Sequence, residues 1–428
     1  MTVSREEISQ AAQARRDWAI ESLSEFVRQP TVLGNEECGQ RVAAKLFSEL
    51  DMEVKIEKIV LDEIKDKPGF GPTDWQLEGK HNVVGIHEGG NGRSLIFNGH
   101  VDVVSPEPIK LWTNPPYEAR VVEDEQDGET WMYGRGAGDM KGGTISYLWA
   151  LHVLRDLGYA PAGKVICQSV VEEECTGNGA LSLLEKGYRA DAAIIPEPFN
   201  ESITSAQVGV LWFRVRVLGM TTHVLGASRG VNAIEKSWPI IQALRDLEEE
   251  VNRPENIPKL YHGVDHPINL NVGTINGGDW QSTVAGECVT GFRFGAFPGE
   301  SLNQVMQTIE TRVKQAAQSA PWLKDNPPEI EWAGFRAEGC TFDVESEVGK
   351  TLRNAHKQWR GAEPEQLRCT ATTDIRFFNL YYDIPATCYG PKARRIHGVD
   401  EKVSIDSMQR ITEVMCSFIQ DWCGLNKR

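Results

Sequence analysis

The 428-residue chain predicts an α/β fold: a mixed, mainly parallel sheet flanked by helices, with an α+β unit inserted into it. Three observations lead there. Short apolar, β-rich runs alternate with helical patterns as far as Ser205, as in layered domains built on a parallel sheet. Beyond Ser205 the order becomes β-α-β-β-α-β, the split βαβ unit, with two helices on one face of an antiparallel sheet. Beyond Ala337, helix and strand patterns of the first kind return. The expected division is residues 1–206 with 338–428 for the main domain and 207–337 for the insert. At about 150 residues per domain, the length suits two or three domains.

The elements follow from periodicity. Ile8, Ala12, Ala19, Leu23 and Phe26 give Glu6 to Gln29 one helical stripe. A second helix is expected from Glu36 to Leu50, and MEVKIEKIV alternates like a strand. Leu61 to Lys80, with its Pro and Gly, reads as a loop. NVVGI, SLIFNGHVDVV, KVICQSVV and AAIIPEP read as strands, with a helix from Met140 to Leu157 between the second and third. In the insert, strands are expected at Gly209 to Leu218, Ile268 to Ile275, Gly286 to Phe297 and EIEWAGF. One helix spans Ala233 to Glu250, and another carries Leu302, Val305, Met306, Ile309 and Val313 on one face. A helix near Val348, the strand IPATCYG and an amphipathic helix from Ile405 to Trp422 complete the main domain.

Composition removes several function classes. Residues are 40% apolar and 25% charged, enough for an ordinary core. Acidic residues outnumber basic ones 61 to 45, and the net charge of −16 argues against a nucleic-acid partner and an anionic membrane surface. No apolar run approaches the roughly 18–20 residues of a bilayer span. The charged N-terminal stretch MTVSREEISQAAQARRDW lacks the apolar region of a secretory signal. Nine scattered cysteines without a CxxC pair read as reduced thiols, so a cytoplasmic location is expected.

Four segments place metal-binding side chains at the C-terminal ends of predicted strands, where α/β sheets put their sites. LIFNGHVDVV holds His100 and Asp102. Two apart on a strand, they point the same way, so Asp102 can accept the second imidazole N–H of His100. MYGRGAGDMKGG sets Asp139 between a glycine-rich turn and a helix start. VVEEECTGNGA contains Glu172, Glu173 and Glu174, and IIPEP contains Glu197. Singly these have plain readings: a structural histidine, a helix N-cap, a solvated acidic face. Together they do not, because consecutive acids at the end of a buried strand are costly without a cation.

In order and spacing these segments resemble the family of metallohydrolases that includes aminoacylase, acetylornithine deacetylase, succinyl-diaminopimelate desuccinylase and glutamate carboxypeptidase. LGMTTHVLGASRGVNAIEK, TATTDIRFFNLYYDIPATCYGP and IHGVDEKVSI extend the similarity over essentially the whole chain. The resemblance implies a zinc-peptidase-like catalytic domain with a ferredoxin-like lid and dimerisation domain. It implies two divalent ions per subunit, Zn²⁺ first, with Mn²⁺ and Co²⁺ as alternatives. Asp139 would bridge them, His100 and Glu197 would complete one site, and Glu174 and His397 the other. Asp102 would orient His100. The acidic triplet itself leaves the pairs Glu172/Glu173 and Glu173/Glu174 open; the resemblance favours Glu173 as general base and Glu174 as ligand. His223 would reach the neighbouring subunit's site in a homodimer. Arg293, Asn276 and Thr373 would contact the substrate.

The expected activity is hydrolysis of the amide bond of a small N-acyl amino acid or related carboxylate-bearing substrate. The alternatives are a dipeptidase or carboxypeptidase, hydrolytic release of an amine from an aromatic acid, and a non-catalytic metal-binding protein. The base at Glu173 speaks against the last.

Overall fold

The computed structural model describes residues 2–125 and 127–428. The strands that build the two large sheets are β1 (Glu53–Lys58), β2 (His81–His87), β3 (Gly92–His100), β4 (Gly163–Val170), β5 (Ala193–Ile195), β6 (Gly209–Leu218), β7 (Leu270–Gly277), β8 (Glu287–Ala296), β9 (Glu329–Ala337) and β10 (Ala386–Cys388). The main helices are α1 (Arg5–Ala14), α2 (Arg16–Val27), α3 (Glu37–Glu49), α4 (Gly143–Asp156), α5 (Ala233–Val251), α6 (Leu302–Gln318), α7 (Glu347–Arg360) and α8 (Ile405–Cys423).

The first large sheet has the order β1-β2-β4-β3-β5-β10. Strands β4, β3, β5 and β10 are parallel, and β2 and β1 close one edge antiparallel. This is the mixed, mainly parallel sheet that the sequence predicts. β3, β4 and β5 are nearly continuous runs of buried residues, as parallel strands covered on both faces must be. Their C-terminal ends lie together, and the segments of His100, Glu172–Glu174 and Glu197 start there. The Asp139 segment, expected at such an end too, instead follows Thr130–Tyr133, a strand of a separate small sheet. Asn82 steers one of them. Its side-chain oxygen accepts from Val171 N (3.1 Å) and its amide donates to the Gly179 carbonyl (2.9 Å), gripping both flanks of the Glu172–Glu174 loop.

The second sheet, β7-β8-β6-β9, is antiparallel throughout. Along β6, Leu211, Phe213, Val215 and Val217 turn into a core shared with α5 and α6. Val210, Trp212 and Arg214 lie on the opposite face. The chain enters the insert after Ile203–Gln207 and leaves it before Cys340–Thr341, and these two short strands pair with each other.

Several local expectations are corrected. The Glu6–Gln29 helix is two helices, broken at Arg15, whose backbone leaves the helical region; Arg15 pairs there with Asp156. The last helix of the glycine-rich segment starts at Gly143 rather than Met140, because Ala137–Gly142 forms an irregular turn. Leu61–Ile64 makes one helical turn inside the expected loop. A small sheet of Arg120–Glu123, Thr130–Tyr133, Lys402–Ser404 and Ala393–Arg394 was not foreseen. Its strands are too short to show a period. No helix among the described residues is long and apolar enough to cross a membrane.

Candidate functional site

His100 is the last residue of β3 and is almost wholly buried. Its Nδ1 lies 2.8 Å from the Asp102 carbonyl, which can only accept, so Nδ1 carries the proton. Nε2 is left facing Asp139 Oδ1 at 3.0 Å, Glu197 Oε1 at 3.9 Å and Glu173 Oε2 at 4.0 Å. Asp102 therefore fixes His100 through its backbone. Its carboxylate stands 3.8 Å from Nδ1 and instead accepts from the amides of Glu173 (3.3 Å) and Glu174 (3.0 Å). Strand alternation fails here because β3 ends at His100.

Asp139 sits in the irregular turn before α4. The amides of Gly138 and Asp139 donate to Glu401 Oε1 at 2.9 and 3.0 Å, and the other Glu401 oxygen pairs with the buried Arg135. Asp139 thus shows its two oxygens to two imidazoles: Oδ1 to His100, and Oδ2 to His397 Nε2 at 3.3 Å. Glu174 Oε2 lies 3.0 Å from the same His397 nitrogen. His397 occupies a left-handed backbone position (φ 60°) in the turn between Ala393–Arg394 and Lys402–Ser404. Such strain in a non-glycine residue is commonest where a side chain must be aimed.

The acidic triplet divides. Glu172, also left-handed (φ 70°), is fully buried and turned away, accepting from Trp75 Nε1 (2.9 Å) and pairing with Lys80. Its burial is incompatible with a solvated acidic face, the plain alternative to a cation site. Glu173 and Glu174 border a cavity of about 590 Å³ between the main domain and the open face of the second sheet. Donor atoms of His100, Glu173 and Glu197 lie within 4.8 Å of one another, as do those of His100, Asp139 and Glu174. Of the first trio, Glu173 alone borders the cavity, and its Oε1 is buried without a hydrogen-bond partner among the described residues.

Four carboxylates thus crowd two imidazoles. Burial, only partly offset by His100, pushes Glu173 and Glu197 well above the usual carboxylate range. For Asp139 burial is outweighed by the two imidazoles it faces, His100 and His397, which hold it well below that range. The Glu174 charge raises His397, against burial.

The remaining expected residues are scattered. Arg293 borders the cavity, its guanidinium donating to the carbonyls of Asn269 and Thr370, both at 3.0 Å. Thr370, Ala371 and Thr372 also border it, whereas the buried Thr373 gives its hydroxyl to Gln207 (2.7 Å). Asn276 is exposed on β7, an edge strand, and His223 is exposed in the loop after β6, its Nδ1 accepting from Leu225 N. Neither borders the cavity of its own chain. Sequence reasoning missed Glu401, although IHGVDEKVSI contains it, and the burial of Glu172.

A family model described as peptidase family M20/M25/M40 matches residues 96–421. The chain belongs to this family. As an M20 enzyme it is a metal-dependent hydrolase acting on C–N bonds, and the resemblance drawn from the sequence is borne out. It is 32% identical over 385 residues to an N-formyl-4-amino-5-aminomethyl-2-methylpyrimidine deformylase of Bacillus subtilis, covering 84% of this chain and 87% of the relative. A deformylase of the same description from Halalkalibacterium halodurans is 30% identical, with 81% and 84% covered. The di-peptidase Dug1p of Saccharomyces cerevisiae has the same fold, with a TM-score of 0.81 over 99% of both chains at 14% identity.

Proposed function

We propose that this M20 hydrolase is a deacylase: it releases a short acyl group from the nitrogen of a small substrate, using two divalent ions held by His100, Asp139, Glu174, Glu197 and His397. The observation that supports this most is the Asp139 carboxylate, one oxygen of which meets each of two imidazoles. The residues suit such ions. Carboxylates outnumber imidazoles, and a buried Glu173 oxygen has no hydrogen-bond partner among the described residues. Imidazole and carboxylate without thiolate suit Zn²⁺ first, and also Mn²⁺ or Co²⁺. Cys175 is no ligand, since its thiol contacts Glu172. When bound, such ions polarise an amide carbonyl and acidify water.

The chain's own residues supply the rest. Glu173 removes the proton of the attacking water and returns it to the departing amine nitrogen. Asp102 holds the Glu173 and Glu174 amides and, through its carbonyl, the His100 tautomer. Arg293 receives an anionic group of the substrate by hydrogen bonds. His223 of the partner subunit stabilises the carbonyl oxygen in a two-fold dimer formed through the inserted domain. Exposed Leu225, Trp280 and Ile275 around this loop and edge strand support that surface as the dimer contact. The setting is cytoplasmic and the partner a small molecule, with neither nucleic acid nor membrane. The two deformylases, named for removing a formyl group, support a short acyl group.

The test is a screen of metal-stripped protein reloaded with Zn²⁺, Mn²⁺ or Co²⁺. N-formyl and N-acetyl amines and amino acids, dipeptides and aminated aromatic acids are offered, and released amine or ammonia is measured. Deacylation is expected. Turnover of dipeptides alone, or ammonia from aromatic amines alone, overturns the reading.

A further inference from the structure

The open face of the second sheet points to what the substrate's larger half looks like. Trp212 lies on that face of β6, half-buried, beside Val210. Phe335 of β9 meets its indole edge-on, with centroids 5.2 Å apart and planes at 83°. Gly334 makes this arrangement possible. It has a left-handed backbone (φ +88°), and a Cβ there would stand 2.5 Å from Trp212 Cε3. Any other residue would drive the indole out of place. The floor is open at Gly273, where a Cβ would meet only the Asn271 side-chain amide at 3.4 Å, and low at Gly291, where the Thr274 side chain lies over the glycine. Directly across the strands from Trp212 is Arg293, already tied to two carbonyls. A fixed aromatic surface, an open floor and a guanidinium therefore stand side by side.

Trp212 and Phe335 of this sheet give the cavity its large apolar rings, since Phe213 and Phe292 turn into the core behind it; the opposite wall offers Glu173, Glu174, Thr370, Thr372 and His397. One half of an amide seated there meets flat apolar surface and the other half meets charge. We propose that Trp212 is the platform for a planar aromatic or heteroaromatic ring on the amine half of the substrate, and that the acyl half is compact. This rests on the deacylase reading for the assignment of halves. The ring named in the two deformylase relatives agrees with it.

The experiment measures binding as well as turnover. By titration calorimetry, para-aminomethylbenzoate and its saturated cyclohexane counterpart are compared on the metal-loaded wild type, Trp212→Leu and Trp212→Phe. The two ligands share the amine and the carboxylate and differ in ring planarity. The benzoate is expected to bind more tightly to wild type. Trp212→Leu should weaken it roughly 10- to 100-fold, the usual loss when a stacking platform is removed. Trp212→Phe should restore most of the affinity, and the saturated ligand should change less than about threefold. Equal affinity of the two ligands for wild type, an equal loss for both in Trp212→Leu, or no binding of the benzoate overturns the proposal. The N-formyl derivatives of both ligands then report turnover. Ring-selective binding without hydrolysis would sink the deacylase reading and leave the platform standing.

Discussion

The two walls of the cavity are built on opposite principles. On the main-domain side most of the reactive groups are positioned by a second group: Asp139 by Glu401, the Glu173 and Glu174 amides by Asp102, His100 by a carbonyl. On the sheet side, the floor is bare at Gly273, capped by the small Thr274 at Gly291, and carries one packed indole. Reacting atoms tolerate displacements of well under an ångström, so the first wall must be over-determined. The second can be re-cut by substituting outward-facing strand residues without moving a single proposed ligand. Chemistry and selectivity are thereby separated in space.

The largest expected effect breaks the charged wall. Asp139→Ala removes the one carboxylate that faces both imidazoles. Elemental analysis should show metal content falling more than in any other single ligand variant, with activity lost. Full occupancy in that variant would take Asp139 out of the bridge. Next comes Glu173→Gln, which keeps shape but cannot take a proton. Turnover should drop roughly 10²- to 10⁴-fold with metal content near wild type. If Glu172→Gln behaves this way while Glu173→Gln stays active, the roles within the triplet are shifted by one.

What the sequence disclosed divides along the same line. His100, Asp139, Glu173, Glu174 and Glu197 were legible because each follows an apolar run or a glycine turn at a strand end. The side of the sheet that holds Trp212 was equally open to alternation. Less visible was what depends on the path after a strand stops: Asp102 caps amides because β3 ends two residues earlier. Nor does local order show that Thr370 and Thr372 border the cavity while Thr373 turns to Gln207. Glu172 looked ordinary because its partner Lys80 lies far away in sequence.

His223 tests whether the second wall is completed by another chain. His223→Ala should lower turnover roughly 10²- to 10³-fold, the scale of a lost oxyanion donor, without stripping metal. Mixing inactive His223→Ala and Glu173→Gln dimers after dissociation should restore about one quarter of wild-type activity, since half the dimers are mixed and each holds one good site. No recovery, with mixed dimers confirmed by mass, would confine His223 to its own chain or remove it from the reaction.

The smallest effects come from one loop that touches both walls. Trp75 and Lys80 reach Glu172 beneath the acidic triplet, while Asp74 pairs with Arg214 on the sheet and the Pro72 carbonyl accepts from Gly334 N at 2.7 Å. The two ion pairs differ in burial: Glu172 and Lys80 are 0% and 10% exposed, Asp74 and Arg214 43% and 38%. Glu172→Gln leaves Lys80 paired with Glu36 alone, so urea denaturation should show a loss of about 1.5–3 kcal/mol, the worth of a hydrogen bond to a charged group. The Asp74–Arg214 pair is screened by water, and a double-mutant cycle should give a coupling of about 0.2–1 kcal/mol that shrinks as salt rises. Arg214 holds the Asp74 carboxyl below its ordinary value, so the coupling should be full above the unfolded carboxyl pKa and fade as pH falls through the folded one. A coupling as large as that of the buried pair, or one indifferent to salt, would mean that the loop clamps the two walls together rather than resting between them.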